Sequence, residues 1–197
     1  MNPNAKAIVD VAVSLIPLRI PYVLGGESRQ KCDCQGLIKL CIREAGGTIN
    51  FAGSNDMFRH GAVWRGTIAE AKAQGKLVPG AAVFVVKHDS GEPGHYKADG
   101  IGNAKHVGLY CGRQEVEVMS ASSVKGYVGA TTLDKGWTHA AWLKDIDYTP
   151  AQSLTSPNQP TPVIPPNLSC MDIPKAIAAA QEFLDAVGAL RGGNHHG

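Results

Sequence analysis

Asp33-Cys-Gln-Gly-Leu37 is the most informative stretch of this chain. Apolar residues at helical spacing follow it, namely Leu37, Ile38, Leu40, Cys41 and Ile42. Their periodicity predicts a helix that begins at Cys34 and ends at Gly46 and Gly47. Asp33 belongs to the residue types that cap helix N-termini, so we expect a structural role for it before a catalytic one. Gly36 is expected to permit close packing or the approach of a substrate.

Another helix is predicted upstream of this stretch. Residues 4–16 place apolar side chains at helical spacing, and Pro17 closes the segment. Between the two helices, Tyr22, Gly25 and Gly26 mark a loop rich in turn residues. Cys34 therefore lies at the junction of this loop and the helix that follows it.

Downstream, the sequence predicts one more helix and then strands. The helix covers residues 67–74, and the apolar run 81–86 is predicted to be a buried strand. Residues 88–103 form a long loop that either covers a cleft or is a plain surface excursion. Further strands are predicted at 106–111, 115–120 and 138–146. Helices followed by antiparallel strands indicate the α+β class, in a domain that covers residues 1–148.

The composition changes after residue 148. Prolines accompany Ser, Thr, Gln and Asn over residues 149–168, which is typical of an extended linker. Residues 169–197 are predicted to contain one amphipathic helix and a flexible tail. A single helix of this kind cannot fold as a domain, so we expect it to contact another protein or a further assembly.

Cys34 has the position that a nucleophilic thiol needs, because the free N–H groups and the dipole of a helix N-terminus stabilise a thiolate. A neutral imidazole must also lie within reach to take the thiol proton. His106 opens an apolar strand and is the best candidate for this general base, with His139 at another strand start as its rival. The remaining histidines lie in turns, in the long loop or in the tail: His60, His88, His95, His195 and His196.

Three motifs in order add weight to this pair. They are Tyr22-Val-Leu-Gly-Gly26, Asp33-Cys-Gln-Gly-Leu37 and His106-Val-Gly-Leu-Tyr-Cys-Gly112. Together they closely resemble the NlpC-like family of cell-wall cysteine peptidases, in which a tyrosine and paired glycines precede an Asp-Cys-Ser-Gly-Leu-type helix start and a His-Val-Gly-type strand follows. A weaker match at Gly136-Trp-Thr-His139 extends the likeness to about Tyr148. The linker and the tail are not covered.

The resemblance implies a papain-like α+β fold, with N-terminal helices packed on an antiparallel sheet, and a catalytic dyad of Cys34 and His106. It also makes Tyr22 a neighbour of the reacting centre. A third polar residue should orient the imidazole from the strand after His106, where the family often has His, Asn or Gln. Ser120 is the nearest match and is a departure from that pattern. Glu117 or a backbone carbonyl are the alternatives.

Five cysteines, at positions 32, 34, 41, 111 and 170, exclude a complete disulfide framework and favour thiols made in a reducing cytosol. Cys41 and Cys111 are expected to be buried core thiols. Cys32-Asp-Cys34 resembles a pair of metal ligands, but a second close pair at zinc-like spacing is missing from the sequence. Catalysis therefore ranks well above zinc binding, and we expect no cofactor.

The formal charge of +2 provides no strong field for nucleic acid or for an anionic membrane. No apolar run approaches the roughly 20 residues of a membrane span. The N-terminal apolar stretch contains Asp10 and lacks a convincing cleavage site, which indicates a helix and not a signal peptide. We therefore expect synthesis in the cytoplasm and action on the cell wall, with delivery by a phage or by secretion machinery.

Three functions are compatible with these residues. The first, which the family likeness implies, is hydrolysis of amide bonds in the peptide stems of peptidoglycan through a thioester acyl-enzyme. Gln35 replaces the usual Ser of the family, which this chemistry tolerates because backbone N–H groups supply the oxyanion stabilisation. The second is a phage-tail or wall-binding component whose third catalytic position has decayed, as Ser120 suggests. The third is an acyl transferase that uses the same dyad.

Overall fold

The computed structural model describes residues 2–89 and 91–149. The predicted linker beyond Thr149 and the predicted C-terminal helix and tail lie outside the described residues. The helices are α1 (Ala5–Ser14), α2 (Cys34–Glu44), α3 (Ser54–His60) and α4 (Ile68–Ala73), with short 3₁₀ segments at Ile16–Leu18 and Lys97–Asp99. None of the helices in these ranges is long and apolar enough to cross a bilayer.

The strands are β1 (Glu27–Ser28), β2 (Lys31–Cys32), β3 (Ala62–Thr67), β4 (Ala82–Lys87), β5 (Asn103–Tyr110), β6 (Val118–Ser122), β7 (Tyr127–Thr131) and β8 (His139–Leu143). Within the described residues, six of them form an antiparallel sheet in the order β3-β8-β4-β5-β6-β7, and β1 and β2 form a small separate hairpin. The predicted α+β class, with helices on an antiparallel sheet, is confirmed.

Local signals in the sequence account for the three predicted helices. The Asn4 side chain accepts a hydrogen bond from the Lys6 N–H (2.9 Å) and caps α1. A reciprocal capping box starts α4, in which the Thr67 hydroxyl accepts from the Glu70 N–H (3.1 Å) and the Glu70 carboxylate accepts from the Thr67 N–H (2.7 Å). Each helix begins within two residues of its predicted start.

The central strands are buried on both faces, which is why β4 is a continuous apolar run. Phe84 faces the helices together with Leu109 and Met119, in a core that also contains Ile8 and Leu37. A smaller cluster covers the opposite face and consists of Ala71, Val83, Val118, Leu133, Trp137 and Ala140. Adjacent residues of one strand therefore belong to different cores, and the two clusters fix the register of the sheet.

Five elements were not predicted from the sequence: α3, β3, β7 and the two short hairpin strands β1 and β2. The start of α3 has Gly53 at its cap position and makes no side-chain capping bond, so it has the composition of a turn. The edge strand β3 alternates between half-buried and exposed residues and contains Arg65 and Gly66. Gly129 interrupts the apolar pattern of β7 in a similar way.

The boundaries of three predicted strands were wrong. β5 begins at Asn103 and not at His106, because a bulge at Val85 and Val86 lets the chain keep pairing with β4 towards Lys87. β6 begins at Val118 and not at residue 115, because Arg113 and Val116 close a tight turn before it through paired backbone hydrogen bonds. The last strand covers only residues 139–143 of the predicted 138–146.

The long loop is fastened to α3 by one buried cation. The Arg59 guanidinium donates to Asp99 (2.6 Å), to Glu92 (2.6 Å) and to the Gly102 carbonyl oxygen (3.0 Å). It also lies over the ring of Tyr96, 4.3 Å from the centroid. A charge that is this deeply buried is tolerated because every side of it meets an acceptor or a π face. The loop is therefore packed on the domain as a defined structure.

Replacing Arg59 by Met should destabilise the domain by about 3 kcal/mol, because the largely buried Glu92 carboxylate then loses its partner. Chemical denaturation measures this change in the free energy of unfolding. Arg29→Met is the matched control, since it removes the exposed ion pair with Glu44 and should cost much less. Equal effects of the two substitutions would contradict the anchoring role of Arg59.

Candidate active site

The first turn of α2 is fixed by the carboxylate of Asp33. This side chain is buried and accepts from the Gly36 N–H (2.7 Å) and from the Gly25 N–H (2.8 Å). The Asp33 N–H in turn donates to the Gly26 carbonyl oxygen (2.8 Å). The predicted capping role is confirmed, and the same carboxylate also joins the helix to the preceding loop.

Gly36 is required by contact with the backbone of that loop. A Cβ atom at position 36 would lie 1.9 Å from the Gly26 carbonyl oxygen, which no side chain can do. Gly26 is similarly enclosed, because a Cβ there would lie 2.8 Å from the Lys31 carbonyl oxygen. The close packing expected at Gly36 is therefore present, and it places the Cys34 backbone directly against the Tyr22–Gly26 loop.

Two N–H groups remain free at this helix start. The Gly36 N–H is taken by the Asp33 side chain and the Leu37 N–H by the Asp33 carbonyl oxygen. In the described part of the chain, the N–H groups of Cys34 and Gln35 donate to no other residue. Both stabilise negative charge on the Cys34 sulfur. They are the donors that a helix N-terminus offers to an anion.

Cys34 also approaches the strand that carries His106. Burial raises the pKa of the Cys34 thiol, whereas a hydrogen bond from the backbone of Val107 lowers it, as do the backbone groups of Gln35 and of Cys34 itself. Val107 immediately follows His106, so the sulfur approaches the backbone of β5 next to the predicted base in the chain. Since burial is the largest effect, the resting thiol is protonated at neutral pH.

His106 is half-buried on β5, opposite Val85 of β4. Its imidazole stacks on the indole of Trp137, with 5.2 Å between ring centroids and 21° between planes. Burial lowers the pKa of His106 below its ordinary value, so the ring is neutral at neutral pH. A neutral imidazole and a protonated thiol are the protonation states from which general-base activation starts.

A cavity of about 330 Å³ opens beside this imidazole. Its lining includes Val85, His106, Ser120, Ser122, Lys125, Lys135 and Trp137. Two lysines and two serines give the cavity a cationic, hydrogen-bonding wall, and the indole and Val85 give it an apolar one. Such a lining suits a polar peptide that carries a carboxylate.

Ser120 lies in this cavity but does not bond to the histidine. Across residues 2–89 and 91–149, the His106 ring forms no hydrogen bond, either with Ser120 or with a backbone carbonyl. The alternative residue Glu117 is engaged elsewhere, since its carboxylate accepts from the Leu133 N–H (2.7 Å). β5 and β6 pair Leu109 with Met119, and continuing this register places Ser122 opposite His106. The assignment of Ser120 as the third residue stays a prediction.

Tyr22 lies within electrostatic reach of Cys34 and Asp33, and its assignment to the reacting centre stays a prediction. Burial raises the pKa of its hydroxyl, and the neighbouring charges of Cys34 and Asp33 raise it further. The Tyr22 N–H donates to the Gly126 carbonyl oxygen (2.8 Å) in the turn between β6 and β7. One wall of the cavity is thereby tied to the loop that precedes the nucleophile.

The rival residues are placed differently. His139 packs edge-on against Phe58, 5.5 Å between centroids, and its Nδ1 lies 2.9 Å from the Thr138 hydroxyl. The buried Cys32 thiol donates to the Ser28 carbonyl oxygen (3.0 Å), and burial raises its pKa to about 11. In the described ranges, no three His, Cys, Asp or Glu side chains are grouped to hold a metal ion.

Sequence reasoning assigned no role to several residues of the cavity, among them Ser122, Lys125, Lys135 and Trp137. Ser122 was missed because β6 extends two residues beyond its predicted end. Trp137 carried one usable signal, which is the glycine at position 108. A Cβ atom there would lie 2.7 Å from the indole of Trp137, so the glycine two residues after His106 reserves space for a large ring on that face.

Neither the protein-family models nor the curated proteins contain a match to this sequence. Solved structures do match. NlpC2 from Trichomonas vaginalis has a TM-score of 0.52 at 16% identity, over 72% of this chain and 46% of that one. An NlpC/p60 family protein from Bacillus cereus has a TM-score of 0.52 at 21% identity, over 73% of this chain and 41% of that one. The NlpC/p60 domain of the peptidoglycan hydrolase SagA has a TM-score of 0.50 at 20% identity, over 71% of this chain and 99% of that domain.

The fold is thus a papain-like α+β fold, with the nucleophile candidate at the start of a helix and the base candidate on the sheet. More narrowly, it is the fold of the NlpC/p60 proteins, which confirms the structural part of the sequence resemblance. The chain spans less than half the length of the Trichomonas and Bacillus proteins and matches nearly the whole SagA domain.

Substituting Gly36 by Ala should destabilise the domain by about 3 kcal/mol, because the new methyl group overlaps the Gly26 carbonyl and forces helix and loop apart. Chemical denaturation provides the measurement. Gly94→Ala is the matched control, since a Cβ atom at position 94 meets no other atom within 4 Å. A Gly36→Ala protein as stable as the control would show that this contact does not hold the helix start.

The His106 imidazole should titrate with a midpoint below 6.5, because burial disfavours its charged form. NMR titration of the ring protons measures the midpoint, and His106→Gln identifies the resonances by their loss. A midpoint at or above 6.5 would mean that a partner stabilises the imidazolium more than burial destabilises it.

Proposed function

We propose that this chain is a cysteine hydrolase that cleaves amide bonds in the peptide stems of peptidoglycan. The observation that carries the proposal is the approach of Cys34, at a capped helix start, to the backbone of the residue that follows His106. The NlpC/p60 fold supports it, because one protein with this fold is named as a peptidoglycan hydrolase. The substrate is assigned by that likeness, and the chemistry by the residues of the site.

The reaction begins when His106 takes the proton of the Cys34 thiol and the sulfur attacks the amide carbonyl carbon. The C–N bond breaks, the imidazolium gives its proton to the departing amine, and a thioester remains on Cys34. His106 then takes a proton from water, which attacks the thioester carbon. The acid product leaves, and the proton returns to sulfur. No redox step or cofactor is involved.

The free N–H groups of Cys34 and Gln35 are placed to serve the charged intermediate. Attack by sulfur moves negative charge to the former carbonyl oxygen, and two preorganised donors at a helix start can stabilise it. In free enzymes the hydrogen bond between base and nucleophile is often long or not yet formed, and it tightens when substrate binds. The absence of a His106 hydrogen bond in the described residues is therefore compatible with catalysis.

The cavity beside His106 suits the chemistry of a stem peptide. Peptidoglycan stems carry free carboxylates near their amide bonds, and Lys125 and Lys135 line the cavity with positive charge. Lys125 already donates to the Ala130 carbonyl oxygen (2.8 Å), which holds its ammonium group in place. A carboxylate on the substrate would add a charge-assisted hydrogen bond to such a group.

A second function is favoured by one observation. Within residues 2–89 and 91–149, His106 has no hydrogen-bonded partner, which is the usual means of fixing an imidazole tautomer. A wall-binding component that has lost catalysis would show this feature and would keep Cys34. The phage or secretion context proposed from the sequence stays a prediction under either function.

Purified peptidoglycan incubated with the protein should release peptide fragments, and mass spectrometry of these fragments identifies the bond. Cys34→Ala and His106→Ala should each lower the rate at least about a thousandfold, because each removes one half of the acyl-transfer machinery. Cys41→Ala is the matched control, since that thiol is buried and far from ionisation. Wall binding without release of fragments, across several wall types, would favour the second function instead.

A further inference from the structure

The His106 ring stacks on a buried aromatic side chain, Trp137. Trp137 is only 9% exposed, and the centroid of its indole lies 5.2 Å from that of the imidazole. Within the described residues the imidazole has no hydrogen bond to set its plane. Stacking on a buried, immobile ring is therefore the main restraint on rotation of the imidazole.

The indole is itself held by the sheet. It lies flat against the backbone of Gly108, where a side chain would overlap it at 2.7 Å, and it packs in the cluster that contains Val83 and Val118. A left-handed glycine, Gly136, sets the turn that delivers Trp137 to this position. The ring thus has a fixed location on the same face of β5 as His106.

Burial of the His106 ring opposes its protonated form. During the proposed reaction His106 must nevertheless become an imidazolium when it takes the thiol proton. The face of an indole attracts a cation within about 6 Å of its centroid, and tryptophan does so best among aromatic residues. Trp137, whose ring stacks 5.2 Å from the imidazole centroid, is placed to offset this effect of burial at the moment of proton transfer.

We propose that Trp137 is the positioning residue of His106 and takes the place of a hydrogen-bonding third residue, since the imidazole has no hydrogen-bond partner among the described residues. Its indole face holds the imidazole plane and stabilises the imidazolium that forms when Cys34 gives up its proton. The inference rests on the proposed Cys34–His106 chemistry, although it concerns only the proton transfer between these two residues and no particular substrate.

Two substitutions of Trp137 distinguish the effect of its aromatic face from that of its N–H group. Trp137 Nε1 is buried and has no hydrogen-bond partner among the described residues. An unpaired buried donor destabilises a folded protein, so its removal should not harm stability. Trp137→Phe removes the N–H and keeps an aromatic face, whereas Trp137→Leu removes the face as well. The two substitutions therefore report on different parts of the side chain.

The test is the rate at which iodoacetamide alkylates Cys34, with the modified peptide identified by mass spectrometry. In the wild type, the rate near neutral pH depends on proton transfer to His106, whereas the rate above the thiol pKa does not. Trp137→Leu should lower the neutral rate about fivefold and leave the alkaline rate unchanged. Trp137→Phe should stay within about twofold of the wild type at both pH values.

Trp142→Leu is the matched control, because that indole also stacks on an aromatic ring, Tyr148, but lines a different cavity. It should leave both alkylation rates unchanged. If Trp137→Leu fails to fold, as judged by circular dichroism, Trp137→Met takes its place, since methionine conserves much of the volume without a π face. An unchanged neutral rate, or an equal loss at both pH values, would overturn the proposal.

The titration midpoint of His106 distinguishes the proposed role of Trp137 from one that only fills space, because the two roles predict shifts of opposite sign when Trp137 is replaced by Leu. Loss of a burying side chain alone would hydrate the ring and raise its midpoint, whereas loss of the stabilising face should lower it. A midpoint that rises in Trp137→Leu would overturn the proposal.

Alkylation of Cys34 needs no wall substrate, so its result does not depend on the proposed function. If the wild type cleaves no peptidoglycan while the effect of Trp137 on alkylation persists, only the proposed function is rejected. Cleavage without a Trp137 effect would reject only this inference.

Discussion

The contact between Gly36 and the carbonyl group of Gly26 is the constraint on which the site depends. It forces the first turn of α2 onto the preceding loop, and the Asp33 carboxylate fastens the two together through one N–H from each. This seating leaves the Cys34 and Gln35 N–H groups unused and directs them at the sulfur. The nucleophile and its anion-stabilising donors are thus consequences of one packing arrangement.

The sheet supplies the second half of the site. Because the central strands are buried on both faces, neighbouring residues of β5 serve opposite cores, with Val107 towards the helices and the ring of His106 against Trp137. A strand held from both sides cannot slip by one residue without exposing apolar side chains. The position of His106 relative to Cys34 is therefore fixed by the register of the whole sheet, and the pKa values of both groups are shifted by the burial that this register requires.

Sequence reasoning recovered the parts of the fold that local chemistry determines. The starts of α1 and α2 followed from apolar side chains at helical spacing, and the β4 strand followed from its apolar run. It did not recover α3, because that helix owes its existence to packing and to the buried contacts of Arg59. It placed Cys34 and His106 as candidates, but it could not find Trp137, since a stack between residues this far apart in sequence leaves no local periodic signal.

The space above Gly108 has a consequence for the history of the fold. The indole of Trp137 occupies the volume that a side chain at position 108 would need, so the two positions form one steric unit although they belong to different segments of the chain. A lineage that acquires a side chain at position 108 must first give up the large ring, and one that loses the ring leaves a void that a larger residue at 108 can fill. Substitutions at these two positions are therefore expected to occur together, and the order in which they occur decides whether the intermediate protein folds.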